Sequence, residues 1–267
     1  MIKSFMHPVK QAIMREIFKS SWRRTKAGQS AIAAFAMLKN SKKGQDAILM
    51  CNGPSLNKVP FEQLQGVYII GLNKINLLFE RTALRPNLIV AINQHVIEQN
   101  ASFFNETDIP LMLSRMGSGQ VAARQNVTFL NTYPKVLDFS LKPGDLIYER
   151  ATVTYTALQI AFHMGFQRVA IVGADHTFNQ VGKPNELQVS KGPDSNHFDP
   201  QYFGAGIPWQ LADLEGSELA YGFARKVYEA HGRKLYNCTE GGKLEIFERM
   251  PLSGFMATAK HASQHAN

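Results

Sequence analysis

The stretch Asp194-Ser195-Asn196-His197-Phe198, followed by Asp199 and Pro200, gathers three carboxylate or amide side chains around one imidazole. An imidazole takes up and releases a proton near neutral pH. His197 is therefore the first candidate for a general base, with Asp194, Asn196 and Asp199 able to fix its tautomer. The plain alternative is a loop histidine with no chemical part. A second candidate is Asn52-Gly53-Pro54-Ser55. Gly53 lets backbone approach a ligand closely, Pro54 stiffens the turn, and Ser55 can cap the next segment or bond a phosphate. The stretch is neither a Walker loop nor a G-x-G-x-x-G fingerprint, and on its own it is equally a strand-to-helix turn.

These residues need elements to hold them. AILMC (47–51), VYIIGLN (67–73), NLIVAIN (87–93), RVAIVGAD (168–175) and KLYNCT (234–239) are apolar runs of strand length, and IPLML (109–113) and VTFLN (127–131) are weaker ones. Helical patterns fall near 74–83, 95–104, 152–165 and 217–231. Fully apolar strands alternating with helices predict an α/β fold with a Rossmann-like, doubly wound, mostly parallel sheet. In such sheets ligands sit beyond the carboxyl ends of the strands. Those ends are polar here: Asn52-Gly53, Asn73, Asn93-Gln94-His95 and Gly173-Ala174-Asp175-His176.

Thr152, Thr154 and Thr156 stand at the entry of the 152–165 helix, where they can cap it or meet a ligand at its positive end. His163 lies inside that helix and reads as a packed histidine. No H-E-x-x-H, paired C-x-x-C or strand-end D-x-D spacing indicates a metal site, so none is expected. The two cysteines, Cys51 and Cys238, give no disulfide framework and fit a reducing compartment.

The formal net charge of +8 is unevenly spread. Residues 1–43 carry ten Lys or Arg and one acid, Glu16, leaving nineteen basic against twenty acidic residues for the rest. In that segment Phe5, Met6, Val9, Ile13, Ile17, Phe18 and Trp22 recur at near-helical spacing among the basic residues. This predicts an N-terminal amphipathic helical extension over 1–43. It either lies on an anionic membrane surface or packs on the main domain or a second subunit. Without a basic stripe in the remaining chain, nucleic acid is not an expected partner. No apolar run is long enough to cross a bilayer, and no signal-peptide order opens the chain. The expected location is cytoplasmic, peripheral on the inner face of the membrane. The expected domains are 1–43, 44–255 and a loose tail, 256–267. Homo-oligomerisation is left open.

AILMCNGPSLNKVPFEQL resembles the opening of bacterial sialyltransferases that use CMP-sialic acid, where a strand runs into Gly-Asn-Gly-Pro-Ser-Leu. IIGLNKINLLFE resembles their strand ending Cys-Asn-Gln. ERATVTYTALQIAFHMGFQRVAIVGAD resembles their Arg-Ile-Thr-Ser-Gly helix and Gly-x-Asp strand, and DSNHF their Asn-Ser-His-Tyr. A broader group, described as 6-hydroxymethylpterin diphosphokinase-like, shares this layout, and residues 194–249 look most like its members. The resemblance implies that Asn52, Gly53, Ser55, Asn73 and Asn93 meet the nucleotide and its sugar, with Pro54 and Gly173 shaping the turns beside them. It also implies Thr152 near the donor, Asp175 in the cytidine-side pocket and His197 as general base. Cys51 replaces a family glycine, and the tyrosines that hold the leaving phosphate are missing; His176, Thr177 and Lys183 are the candidates to replace them.

The expectation is an inverting glycosyltransferase moving a sialic acid or another nonulosonate from a CMP-activated donor to a glycan or glycolipid acceptor, without a cofactor. Two alternatives stand beside it. One is a Mg-dependent diphosphokinase acting on a pterin alcohol, for which Asp175, Asp194 and Asp199 would gather around the metal. The other is a non-catalytic nucleotide-sugar-binding subunit of a glycan assembly complex.

Overall fold

The computed structural model describes residues 8–134 and 136–259. Two helices lead, α1 (Pro8–Arg23) and α2 (Lys26–Leu38), the second capped by the Thr25 side chain accepting from Gly28 N. Strands β1 (Asp46–Met50), β2 (Tyr68–Leu72) and β3 (Leu88–Ala91) follow, then the short helices α3 (Gln94–Gln99) and α4 (Ala101–Glu106). Next come β4 (Leu111–Ser114), β5 (Val127–Leu130), the small pair β6 (Thr132–Tyr133) and β7 (Ile147–Tyr148), and α5 (Val153–Met164). After β8 (Arg168–Val172) a ribbon forms from β9 (Leu187–Val189) and β10 (Pro208–Gln210). Helix α6 (Leu214–Ala230), β11 (Lys234–Asn237), β12 (Glu248–Arg249) and α7 (Leu252–Ala257) finish the described chain.

Eight strands form one sheet in the order β12-β11-β8-β1-β2-β3-β4-β5, and every neighbouring pair is parallel. The fold is α/β and Rossmann-like. Alternation along β1 shows why both faces are covered. Ala47 and Leu49 pack into one core with α5 and α6, while Ile48 and Met50 pack into the other, and all four are buried. The chain winds outward from β1 to β5, then returns to place β8 on the other side of β1. The crevice beyond β1 and β8 is thus the topological switch point where such sheets bind ligands.

The strand readings hold to within a few residues. The helix expected over 74–83 is instead a 3-10 segment, Ile75–Glu80, and that over 95–104 is split into α3 and α4. The N-terminal segment packs on the main domain. Trp22 is buried and its indole Nε1 donates to Gly144 O at 3.0 Å, Arg15 pairs with Asp138 and Arg23 with Asp145. Helix α2 packs on β5 and buries Ala31 and Phe35. Residues 26–38 thus form a layer on the sheet, in keeping with the packing alternative. Ile13, Met14 and Ile17 of α1 stay exposed, while Phe5 and Met6 lie outside the described residues. The expected tail also begins later, because Thr258 accepts from Arg168 through its Oγ1 and its backbone oxygen. Among the described residues no helix is long and apolar enough to cross a membrane.

Candidate active site at the strand ends

A cavity of about 800 Å³ opens beyond the carboxyl ends of β1, β2, β3 and β8. Ten of the residues singled out in the sequence line it: Asn52, Gly53, Asn73, Asn93, Thr152, Gly173, Asp175, His176, Thr177 and His197. Pro54, Ser55 and the exposed Lys183 are not among its lining residues, and Ser55 lines a separate cavity of about 420 Å³. Phe18 of α1 reaches its rim.

The loop carrying His197 is fastened over β1. Phe198 N donates to Asn52 O at 2.8 Å, Asn57 Nδ2 donates to Phe198 O at 2.9 Å, and Arg81 pairs with Asp199. His197 Nδ1 lies 2.7 Å from Asp194 Oδ2, and the imidazole stacks on the Tyr202 ring with centroids 4.0 Å apart and planes 2° apart. Asp194 also accepts from Asn196 N at 2.7 Å and Phe203 N at 3.1 Å. Burial works against this carboxylate's charge, but the His197 contact and the two backbone donors outweigh it and hold its pKa below the usual range. An ionised Asp194 accepts a proton-bearing Nδ1 and leaves Nε2 as the basic nitrogen of the neutral ring. A stacked ring with one nitrogen tied is held in a single orientation.

The floor holds unmet polar atoms. Asn52 Oδ1, Asn73 Oδ1 and the Tyr202 hydroxyl are buried and have no directed hydrogen bond among the described residues, although the Asn73 side chain is a neighbour of Tyr202. Such atoms cost roughly 1–3 kcal/mol when left unsatisfied, and all three residues line the cavity. Asn73 is held in the left-handed region at φ 52°, which fixes its side chain at the end of β2. Asn93 is different. Its Oδ1 caps α3 through His95 N at 2.9 Å and Val96 N at 3.4 Å, and its Nδ2 donates to Gln210 Oε1 at 2.8 Å.

Three sequence readings acquire structural roles. Ser55 donates its hydroxyl to Asp175 Oδ2 at 2.6 Å and its amide to Asp175 Oδ1 at 3.1 Å, so this turn's anion position is filled by the protein's own carboxylate. The contact explains Gly53: a Cβ there would lie 2.0 Å from Asp175 Oδ2. Thr152 is the N-cap of α5, accepting from Thr154 N at 3.2 Å and lying 3.3 Å from the Tyr221 hydroxyl. His176 Nε2 lies 3.0 Å from Glu218 Oε1. The carboxylates suggested for a metal do not gather. Asp175 is bound to Ser55, Asp194 to His197 and Asp199 to Arg81, and among the described residues no cluster of three His, Cys, Asp or Glu could hold one.

Sequence reasoning missed several cavity groups. Glu149 lines the wall, and burial raises its pKa. Arg150 and Ala151, with φ 27° and 67°, are consecutive left-handed residues before the α5 cap, a strained conformation for non-glycine residues. Lys74, read as part of a helix start, is buried beneath the histidine loop. Its Nζ donates to Tyr202 O and Gln99 Oε1, both at 2.7 Å, and burial pulls it down to about 8, with Asp194 opposing the fall. Burial likewise pushes the Cys51 thiol up to about 12, keeping it neutral against Thr154.

An α/β domain with an oriented histidine at its switch-point cavity defines the class. The family model for 6-hydroxymethylpterin diphosphokinase MptE-like proteins matches residues 25–181, more than half of the chain. The chain belongs to this MptE-like family. Comparison with curated proteins gives no match. Among solved structures the chain is similar to the MAf glycosyltransferase from Magnetospirillum magneticum AMB-1, at 12% identity and a TM-score of 0.50. The match covers 97% of this chain and 44% of that one, so this chain corresponds to less than half of the larger protein, and the likeness is one of fold.

Proposed function

We propose that the protein is an inverting glycosyltransferase that moves a nonulosonate sugar such as sialic acid from a CMP-activated donor to a hydroxyl of a surface-glycan acceptor. The observation that carries this reading is the Asp194-oriented His197 set in the same cavity as the unmet Asn52 and Asn73 oxygens. The two amide oxygens receive donors from the nucleotide. His197 Nε2 takes the acceptor hydroxyl's proton as that oxygen bonds to the anomeric carbon. The bond from that carbon to the phosphate oxygen breaks, and CMP leaves with the electron pair. His176, Thr177 and Arg150 are the cavity groups available to stabilise that phosphate. The similarity in fold to a glycosyltransferase is in keeping with this chemistry. The exposed Ile13, Met14 and Ile17 face of α1 would rest on an anionic membrane surface, bringing the cavity to its acceptor. The direct test is incubation with labelled CMP-sialic acid and a glycan acceptor library. Transfer, or slow acceptor-free release of CMP, supports the reading, and an inert donor opposes it.

The family's description favours a second reading, transfer of diphosphate from ATP to a pterin alcohol. That reaction requires Mg²⁺ and product formation from 6-hydroxymethylpterin, so the same incubation with ATP, Mg²⁺ and the pterin decides between them.

Two predictions arise here. Asn52→Ala and Asn73→Ala should each weaken CMP binding about ten- to hundredfold, the equivalent of losing roughly 1–3 kcal/mol, as read by calorimetry. Equal affinity in both variants would remove the nucleotide from this floor. Asp194→Asn should lower turnover at least about tenfold, because an amide cannot accept from His197, Asn196 and Phe203 together. It should also lower unfolding stability by about 1–3 kcal/mol at neutral pH. A carboxylate whose folded pKa is depressed contributes stability above its unfolded pKa and loses it as pH falls through the folded value. The stability gap to the unaltered protein should therefore close on acidification below the usual carboxylate range; a pH-independent gap would show a packing effect instead.

A further inference from the structure

We infer that Trp209 is the platform for the acceptor sugar, and that the acceptor is a pyranoside whose apolar ring face lies on the indole. This inference rests on the glycosyltransferase reading and names the second substrate's class. Trp209 sits on β10, lines the cavity and remains half-buried, while one side of its ring stacks on Phe203 with centroids 5.7 Å apart and planes 25° apart. Phe203 meets the His197 ring edge-on at 5.2 Å, and its backbone N–H is one of the three donors to Asp194. The indole is thus one ring away from the proposed base and fixed to the residues that orient it. An acceptor hydroxyl must arrive at that place.

The surroundings suit a sugar. A pyranose presents C–H groups on one face, which pack on a flat aromatic ring, and hydroxyls around its edge, which need donors and acceptors. Two uncharged amides of the cavity wall lie at this end: Gln210, next to Trp209 in the chain and held by Asn93 Nδ2 at 2.8 Å, and Asn185, whose backbone oxygen is 3.5 Å from Gln210 Nε2. The platform is anchored as well as lined. Gln99 Nε2 donates to Pro208 O at 2.7 Å, and β10 pairs with β9.

The ribbon that carries Trp209 is anchored to one side of the unmet amide oxygens. Gln210 ties the ribbon to Asn93 at the end of β3, whereas the unmet Asn52 and Asn73 oxygens lie at the ends of β1 and β2. Adjacent strands are about 4.8 Å apart, so the ribbon's anchor at β3 lies one strand beyond Asn73 and two beyond Asn52.

The chain's two tryptophans make this testable without turnover. Trp22 is buried and Trp209 is not, so acrylamide quenching of the full chain's fluorescence reports mainly on Trp209. A panel of neutral and N-acetylated methyl pyranosides, CMP and 6-hydroxymethylpterin would be titrated separately. At least one pyranoside should reduce the quenching constant about twofold or more at saturation, and CMP should not. Trp209→Ala, checked for an unaltered melting curve, should weaken that pyranoside's calorimetric affinity at least about tenfold. Protection by CMP or the pterin alone, or by no pyranoside, overturns the inference. CMP binding in calorimetry without pyranoside protection would leave the donor reading standing and remove only the platform; protection without CMP binding would do the reverse.

Discussion

His197→Ala should reduce turnover about 10²–10⁴-fold, the usual size of general-base assistance, while donor affinity stays within about threefold. The split follows from geometry. The imidazole is tied to Asp194 at 2.7 Å and stacked on Tyr202, whereas the unmet amide oxygens of the floor belong to Asn52 and Asn73. Truncation also removes a ring packed on Tyr202 and Phe203, so a melting curve must accompany the kinetics. His197→Gln, which keeps a polar side chain but no comparable base, should be nearly as slow. A folded alanine variant with full turnover would reduce the loop to scaffolding. Equal losses of turnover and donor affinity would place His197 in binding instead.

Deleting residues 1–43 should prevent stable folding. Trp22, Ala31 and Phe35 are buried in the two cores, and Gly144 accepts from the Trp22 indole at a point where an added Cβ would lie 3.0 Å from the Ile32 α-carbon and 3.2 Å from the Phe35 Cβ. Trp22→Ala alone should cost about 3–5 kcal/mol, a large share of a typical domain's 5–15 kcal/mol. Urea unfolding of Trp22→Ala and expression of the truncated chain measure the effect; a soluble truncated chain with an unaltered midpoint would contradict it. Membrane attachment needs a gentler probe. Replacing exposed Ile13, Met14 and Ile17 with asparagine should preserve the melting temperature yet reduce sedimentation with anionic vesicles. Unchanged sedimentation would remove this face from membrane binding.

The sequence made the sheet legible because its strands are buried on both sides. Runs such as AILMC and RVAIVGAD have no polar face to confuse with a helix, and turn residues end each one. The strand-end floor was legible for the same reason: Asn52, Asn73, Asn93 and Asp175 each interrupt an apolar run. The ribbon was not legible, because Leu187 and Val189 are exposed and carry no burial pattern. Nor could local pattern show that Asp175 closes on Ser55 across 120 residues, or that Lys74 is buried beneath a loop more than a hundred residues away. Trp209 went unremarked because its chemistry depends on Phe203, His197 and Asn93, which only the folded chain assembles.

The proposed function requires that the switch-point cavity bind a cytidine nucleotide without metal. Thermal denaturation with CMP, CDP, UDP, GDP and ATP, each with and without Mg²⁺, tests it directly. Ligand at a hundred times its dissociation constant adds about 2.7 kcal/mol, which corresponds to an upward shift of roughly 5 °C or more for a chain of this size. That shift is expected for CMP with Mg²⁺ absent, and a smaller one for Asn73→Ala at the same concentration. A shift with ATP only in the presence of Mg²⁺, or no shift with any nucleotide, would contradict it.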